Sequence, residues 1–413
     1  MASRPTFLDN FAMVLQYISM WIVRKYEKTL GNLSRQFPAV VLTGARQVGK
    51  TSLVRRVFPD HAYVSLDLPA AADQAENSPR RFMSEFPEPL VIDEVQYAPA
   101  LFRHLKAKID EDKRPGRFIL TGSQNFQLMQ GISESLAGRC GVLQMLNLSL
   151  EELTTIVPDA SEGAYLYKGG WPELHARSDL DPHFWYAAYL STYLERDVRN
   201  LLNVGSLRDF DRFLRAVAAR TGQLLSFSDL ARDVGIAPNT AKKWVSVLQA
   251  SGQVLLLEPY HRNLGKRLVK SPKIYLGDTG LALFLMGFDS WETAAHSPLA
   301  GALWETHVVM QVVRHFTANG KWVPLWFWRT AGGAEVDLLI ERGGRFTAIE
   351  AKLTERPEPN DLKGIAALER FYGPDSLVEG IVACRTARVY QMSARICAVP
   401  AKKIAKYLES PVT

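Results

Sequence analysis

Gly44-Ala-Arg-Gln-Val-Gly49-Lys50-Thr51 fits G-x-x-x-x-G-K-[ST] in full, and it lies between an apolar run, Ala39-Val-Val-Leu-Thr43, and a stretch of helical pattern. Such a loop only functions where a buried strand feeds a helix amino terminus, because main-chain N–H groups must converge on one anion. The glycines let the chain curl around phosphates, Lys50 neutralises the β and γ charges, and the Thr51 hydroxyl ligates Mg²⁺. The expected nucleotide-binding set is therefore Gly44, Ala45, Arg46, Gln47, Val48, Gly49, Lys50, Thr51 and Ser52, with ATP and Mg²⁺ as cofactors.

A second motif completes this site. Leu90-Val-Ile-Asp93-Glu94 is an apolar strand ending in two carboxylates, which suits Mg²⁺ coordination by Asp93 and polarisation of a water by Glu94. Thr121-Gly-Ser123-Gln124-Asn125 is a further polar strand end, and Ser123 or Gln124 is the expected γ-phosphate sensor; a plain polar turn is the alternative. Arg139 could supply positive charge to the transition state in cis or across a subunit contact, or be a solvated surface arginine.

The surrounding rhythm agrees. Short apolar runs at Ala39–Gly44, Ala62–Asp67, Leu90–Asp93, Arg117–Gly122 and Gly141–Leu148 alternate with helix-like stretches, the pattern of a parallel α/β sheet. Ser149-Leu-Glu-Glu152 reads as a capping box opening a connecting region. At 413 residues the chain exceeds what one hydrophobic core serves, so two or three domains are expected.

A net charge of +6 mildly favours an anionic partner such as nucleic acid. Three scattered cysteines, Cys140, Cys384 and Cys397, exclude a disulfide framework or a thiolate metal site and point to a reducing cytoplasm. The apolar run Phe11–Val23 is short of the roughly 20 residues that cross a bilayer, so no membrane span is expected. That run reads instead as a helix packed on the first domain, or as an extension upstream of a start at Met20.

From Asp181 to Leu257 the pattern is mainly helical. Ser226–Val234, Gly235-Ile-Ala237 and Pro238–Leu248 read as helix, tight turn, helix, with Lys242 and Lys243 exposed on the second helix. Gln253–Tyr260 and Lys273–Leu276 suit the strands of a wing. Between them Arg262, Lys266, Arg267, Lys270 and Lys273 occur without an acid, which suits phosphate contacts with DNA. A solvated loop, or a surface for a protein partner, are the alternatives.

Further on, Trp326–Arg342 and Arg345–Lys352 flank Gly343-Gly344, a two-residue hairpin turn. If Arg342 pairs with Arg345, then Asp337 faces Glu350 and Glu335 faces Lys352, all on one side of the sheet. Two opposed carboxylates require a cation. Either a second divalent metal bridges Asp337 and Glu350, with Lys352 beside it and Glu305 as a further ligand, or Lys352 and Arg329 neutralise them structurally.

With these residues in hand, the chain from about Met20 resembles a bacterial and archaeal family of predicted ATP-binding proteins, with an AAA-superfamily domain followed by a domain of unknown function. The resemblance rests on Gly44–Thr51, Ile92-Asp-Glu-Val-Gln96, Leu120-Thr-Gly-Ser123 and Ser135-Leu-Ala-Gly-Arg139. It is carried further by Tyr193-Leu-Glu-Arg196-Asp197, Val269–Tyr275 with Asp278-Thr-Gly-Leu281, and Glu335-Val-Asp337 with Ile349-Glu-Ala-Lys352. It implies a P-loop NTPase parallel sheet with helices on both faces, then a mainly helical winged-helix region, then a small α/β restriction-endonuclease-like domain of the D-(x)n-E-x-K kind. The expected divisions are an extension over 1–20, the ATPase domain over 21–155, a helical connector over 156–220, a winged helix over 221–290 and the nuclease-like domain over 291–413. The expectation is an ATP-driven conformational switch in a DNA-associated protein open to oligomerisation; the rival is a signalling or scaffold ATPase whose back half binds protein and cuts nothing.

Overall fold

The computed structural model describes residues 21–123, 128–129, 131–194, 207–260 and 270–409. Five parallel strands, β1 (Ala39–Thr43), β2 (Ala62–Ser65), β3 (Leu90–Asp93), β4 (Phe118–Gly122) and β5 (Cys140–Gln144), form a sheet of order β2-β3-β4-β1-β5. The three inner strands β3, β4 and β1 are buried along their whole length, while the edges β2 and β5 are part exposed. Continuous apolar runs are what strands covered on both faces require. Helices fill the crossovers, so the turns leaving β1, β3 and β4 all gather at one carboxyl edge of the sheet.

The expected capping box at Ser149 is present: its hydroxyl accepts from Glu152 N at 3.1 Å, and its own N–H donates to Glu152 at 2.9 Å. Beyond it, helices Leu207–Ala218, Phe227–Val234 and Pro238–Ala250 accompany a small antiparallel sheet of order β6-β8-β7, from β6 (Gln223–Leu224), which lies between the first two helices in the chain, β7 (Val254–Leu257) and β8 (Lys273–Leu276). Ser226 caps the second of these helices and Gly235, at φ 85°, ends it, which produces the tight turn into the third. Phe210 and Phe213 meet the Trp244 ring edge-on at 5.3 and 5.1 Å and fix the trio's packing.

The last section is a mixed six-stranded sheet of order β13-β14-β12-β11-β10-β9, comprising β9 (Leu325–Arg329), β10 (Glu335–Arg342), β11 (Arg345–Ala351), β12 (Leu377–Cys384), β13 (Tyr390–Ser393) and β14 (Ile396–Pro400). Gly343 and Gly344 turn the hairpin with φ of 60° and 80°, and the register Arg342↔Arg345 through Leu338↔Ile349 is the expected one.

The helix Ala300–Ala318 joins the two ends of the molecule. Near its carboxyl end, Gln311 accepts from Leu150 N at 3.0 Å and Arg314 reaches Asn147 at 2.9 Å, both beside the parallel sheet. Near its start, the Trp304 indole donates to the Ala383 carbonyl of β12 at 3.3 Å. One buried apolar cluster accordingly runs from Val40 and Leu42 of β1 through Trp244 to Leu303 and Ile349, while separate clusters fill the far faces of the two large sheets.

Of the run Phe11–Val23, only Trp21 to Val23 are described, as irregular backbone; the rest, with Arg196 and Asp197, lies outside the described residues. Among the described residues no helix is long and apolar enough to cross a membrane.

Candidate functional site

The phosphate-type loop leaves β1 at Gly44, whose φ is 146° and where a Cβ would stand 2.1 Å from the Met145 carbonyl oxygen. Only glycine lets the loop pass that close to the chain leaving β5. Gln47 and Gly49 then take left-handed values, φ 61° and 96°, and curl the loop into the helix Lys50–Val57. Ala45 and Val48 are buried beneath it, Arg46 reaches the Tyr97 hydroxyl at 3.1 Å, and Ser52 is exposed on the first helical turn.

The Lys50 ammonium is buried, donating to the Gly44 and Ala45 carbonyls at 3.0 and 2.9 Å. Burial pulls its pKa down to about 8, opposed by the charges of Glu94 and Asp93.

Asp93 ends β3. Its Oδ2 accepts from Thr51 Oγ1 at 2.8 Å and from the Tyr63 hydroxyl at 2.7 Å, and its Oδ1 meets the Thr121 hydroxyl. Glu94 follows at a left-handed φ of 56° and accepts at Oε2 from the Ser123 N–H (3.1 Å), the Ser123 hydroxyl (2.8 Å) and the Gln96 amide. Lys50, Thr51, Asp93, Glu94 and Ser123 thus come together at the sheet's carboxyl edge. The fit to a Mg-triphosphate is good: a hydroxyl and a carboxylate already share one point, as Mg²⁺ coordination requires, beside a buried ammonium and a left-handed loop.

Gln124, the alternative sensor, lies outside the described residues. Arg139 departs from expectation as a group acting in cis. It directly precedes β5, whose first residue Cys140 is level with Ala39 at the start of β1, whereas the loop follows the other end, where Thr43 is level with Gln144. Its guanidinium forks onto Asp110 at 2.6 and 3.1 Å. Parallel strands advance about 3.3 Å per residue, so the sheet's length separates Arg139 from the loop of its own chain.

Several members of this site escaped sequence reasoning. Tyr63 and Thr121 hold Asp93, and Asp67, beyond β2, is pushed up in pKa by burial and by the neighbouring Glu94. Thr121 and Asp67 lie at or just beyond the carboxyl ends of β4 and β2, which was the available signal, whereas Tyr63 lies within β2. Arg24 had none: it is buried 20 residues before the loop and donates to Val48 O at 2.8 Å, Leu146 O at 2.7 Å and Glu152 at 3.0 Å.

In the middle region Lys242, Lys243 and Lys270 are exposed, while Arg262, Lys266 and Arg267 lie outside the described residues. Lys273 corrects the expected basic wing, because it is buried at 2% exposure and points away from solvent into an acidic cavity.

That cavity, about 850 Å³, is lined by Lys273, Glu305, Arg329, Glu335, Asp337, Glu350 and Lys352 among others. The Lys273 ammonium lies 2.7 Å from Glu305 and 3.6 Å from Asp337, and also pairs with Glu335. Arg329 holds Glu335 at 2.8 Å and Lys352 holds Glu350 at 2.9 Å. Asp337 Oδ2 accepts from Ala351 N at 2.9 Å. Burial and the adjacent Asp337 push Glu350 well above the usual carboxylate range, and Glu305 up to about 7. Gly364 makes room for this crowding, since a Cβ there would stand 2.1 Å from Glu350 Oε1.

Asp337, Glu350, Lys352 and Glu305 therefore do meet, but the second divalent cation expected between them does not fit this arrangement. Among the described residues no three carboxylates, imidazoles or thiolates are disposed to hold a metal ion. A lysine from another element already stands among the acids.

Residues 36–154 match the model of an AAA domain, residues 162–292 a domain of unknown function (DUF8612), and residues 300–404 another domain of unknown function (DUF4143). An uncharacterized protein of Mycobacterium tuberculosis is 35% identical over 324 residues, covering 78% of this chain and 71% of its own, and an uncharacterized protein of Mycobacterium bovis matches to the same extent. Among solved structures, a Walker-type ATPase of Pyrococcus abyssi aligns at 17% identity over 63% of this chain and 94% of its own, with a TM-score of 0.42.

Proposed function

The chain belongs to the same family as these two mycobacterial proteins, and from that premise, with an AAA domain at residues 36–154, we propose that it binds and hydrolyses Mg-ATP to switch the posture of its back half. The observation that carries the reading is the convergence of Lys50, Thr51, Asp93, Glu94 and Ser123 on one edge of the sheet.

The residues divide the work by chemistry. The loop's N–H groups and the Lys50 ammonium bind the triphosphate, and the ammonium exchanges its two carbonyl partners for phosphate oxygens. Thr51 and Asp93 hold Mg²⁺, which when bound neutralises charge on the β- and γ-phosphates. Glu94 takes the proton of an attacking water, and Ser123 orients that carboxylate. Arg139 acts, in this reading, only across a contact with a second copy of the chain. If Lys50→Ala leaves ATP binding and turnover unchanged, the assignment is wrong.

For the rest of the chain we infer an ATPase domain over 21–155, a connector over 156–220, a winged helix over 221–290 and a restriction-endonuclease-like domain over 291–413, acting in the cytoplasm. DNA is the favoured partner because Lys242 and Lys243 are exposed on the second helix of a helix-turn-helix backed by a small sheet. The rival reading, a scaffold ATPase that cuts nothing, draws support from the lysine among the carboxylates. Nuclease assays with Mg²⁺ or Mn²⁺, comparing wild type with Asp337→Ala, separate the two: Asp337-dependent cutting removes the scaffold.

A further inference from the structure

The acidic cavity is assembled from three separate parts of the chain. Glu305 comes from the helix Ala300–Ala318, Glu335 and Asp337 from β10, and Lys273 from β8 of the small middle sheet. The Lys273 side chain is 3% exposed, and the Glu305 and Asp337 side chains 14% and 12%. An ammonium has three donors, and this one has three carboxylate partners. The Tyr275 hydroxyl, two residues along the same strand, donates to Glu305 at 2.6 Å and the Phe327 ring lies 5.6 Å from the ammonium, so Lys273 is held from several sides.

Charge explains what the lysine does there. The cavity wall carries five acids, Glu305, Glu335, Asp337, Glu350 and Asp361, and four bases, Lys273, Arg329, Lys352 and Lys363, a formal balance of −1. Without Lys273 the same wall would carry five acids against three bases, or −2, the charge that one divalent cation offsets. Carboxylates left buried and ionised without a compensating positive charge are strongly unfavourable, and Lys273 supplies that charge.

We propose that the Lys273 ammonium occupies the position of a divalent cation, and that metal and lysine exclude one another at this cluster. In the arrangement described here the carboxy-terminal domain is closed to metal by a residue belonging to the middle region. Drawing β8 away from Glu305 and Asp337 converts a salt-bridged joint into an oxygen-lined cation site. The proposal rests on the metal-directed reading of the Asp337 cluster, but not on ATP turnover or on any cutting of nucleic acid.

Mn²⁺ binding to the full chain, followed by electron paramagnetic resonance without nucleotide or nucleic acid, tests it. Wild type is expected to bind no Mn²⁺ that Asp337→Asn abolishes. Lys273→Met is expected to gain one such ion per chain, at least ten times tighter than any wild-type binding, and to lose it when Asp337→Asn is added. If Lys273→Met fails to fold, Lys273→Gln, which also removes the ammonium but keeps a polar side chain, is read in the same assay with the same expectation. An Asp337-dependent ion already bound by wild type overturns the proposal, as does a folded Lys273 variant that binds none. Neither outcome bears on the ATP site, which the Lys50→Ala comparison tests separately.

Discussion

Arg24 Nε lies 3.0 Å from Glu152 Oε1, with both side chains only 3% exposed. The same guanidinium donates to the Val48 carbonyl in the phosphate-type loop, and within the capping box that Glu152 closes, the Leu150 N–H donates to Gln311. A residue outside the motif thereby ties the loop to the helix that spans the molecule.

Removing one partner of a buried pair typically costs about 3–5 kcal/mol, because the other charge is left without compensation. Arg24→Ala is expected to lower the melting temperature and to weaken ATP binding, since Val48 loses its anchor; Glu152→Gln, which leaves the buried guanidinium without its counter-charge but keeps the Arg24–Val48 contact, is expected to lower the melting temperature comparably and to affect ATP binding less. Thermal melting with and without nucleotide checks both. If Arg24→Ala matches wild type in both measurements, the clamp has no role.

Glu94→Gln preserves the hydrogen-bonding shape and removes the base. ATP binding is expected to persist while turnover falls by about 10²-fold or more, the usual range for a positioned general base. Phosphate release at saturating ATP gives the number, and turnover within a factor of two of wild type would reassign the base.

Lys50 has a pKa lowered to about 8 by burial, so in the free protein it loses its proton at mildly alkaline pH. The triphosphate binds the charged form. Binding above pH 8 must therefore take up a proton, and ATP affinity is expected to fall by up to about tenfold per pH unit there. A guanidinium does not titrate in this range. Lys50→Arg, if it binds, is expected to show no such slope in a titration from pH 7 to pH 9.5.

Lys242→Glu with Lys243→Glu is expected to weaken DNA binding and to reduce its salt dependence. Each lost phosphate contact removes roughly 0.9 from the slope of log affinity against log salt, so a double loss lowers it by about 1.8. Fluorescence anisotropy over a salt series measures this. Wild-type binding that ignores salt would remove DNA as the partner at this surface.

The parallel sheet was legible because β1, β3 and β4 are buried on both faces and so read as unbroken apolar runs. The nucleotide residues were legible because they lie at strand ends, where chain order and spatial placement coincide. The hairpin register followed from its two-residue turn alone. Arg24 and Lys273 were not legible, because each acts on residues more than 20 positions distant and neither belongs to a periodic pattern. Lys273 was misassigned for a physical reason: a lysine in a basic stretch reads as solvated, and only the folded chain reveals acids waiting behind the strand. Arg139 misled in the opposite way, since a residue directly before a parallel strand lies at its amino end, away from the loop that follows β1.

The helix Ala300–Ala318 carries Gln311 and Glu305 six residues apart, about 9 Å along its axis. A rigid rod pivoting near Gln311 through about 10° would carry Glu305 sideways by roughly 1.6 Å, given that axial spacing. That travel exceeds the tolerance of a short ammonium–carboxylate contact. A change of loop posture at one end of the molecule thus has a mechanical lever to the acids at the other, with no wholesale reorganisation of either sheet.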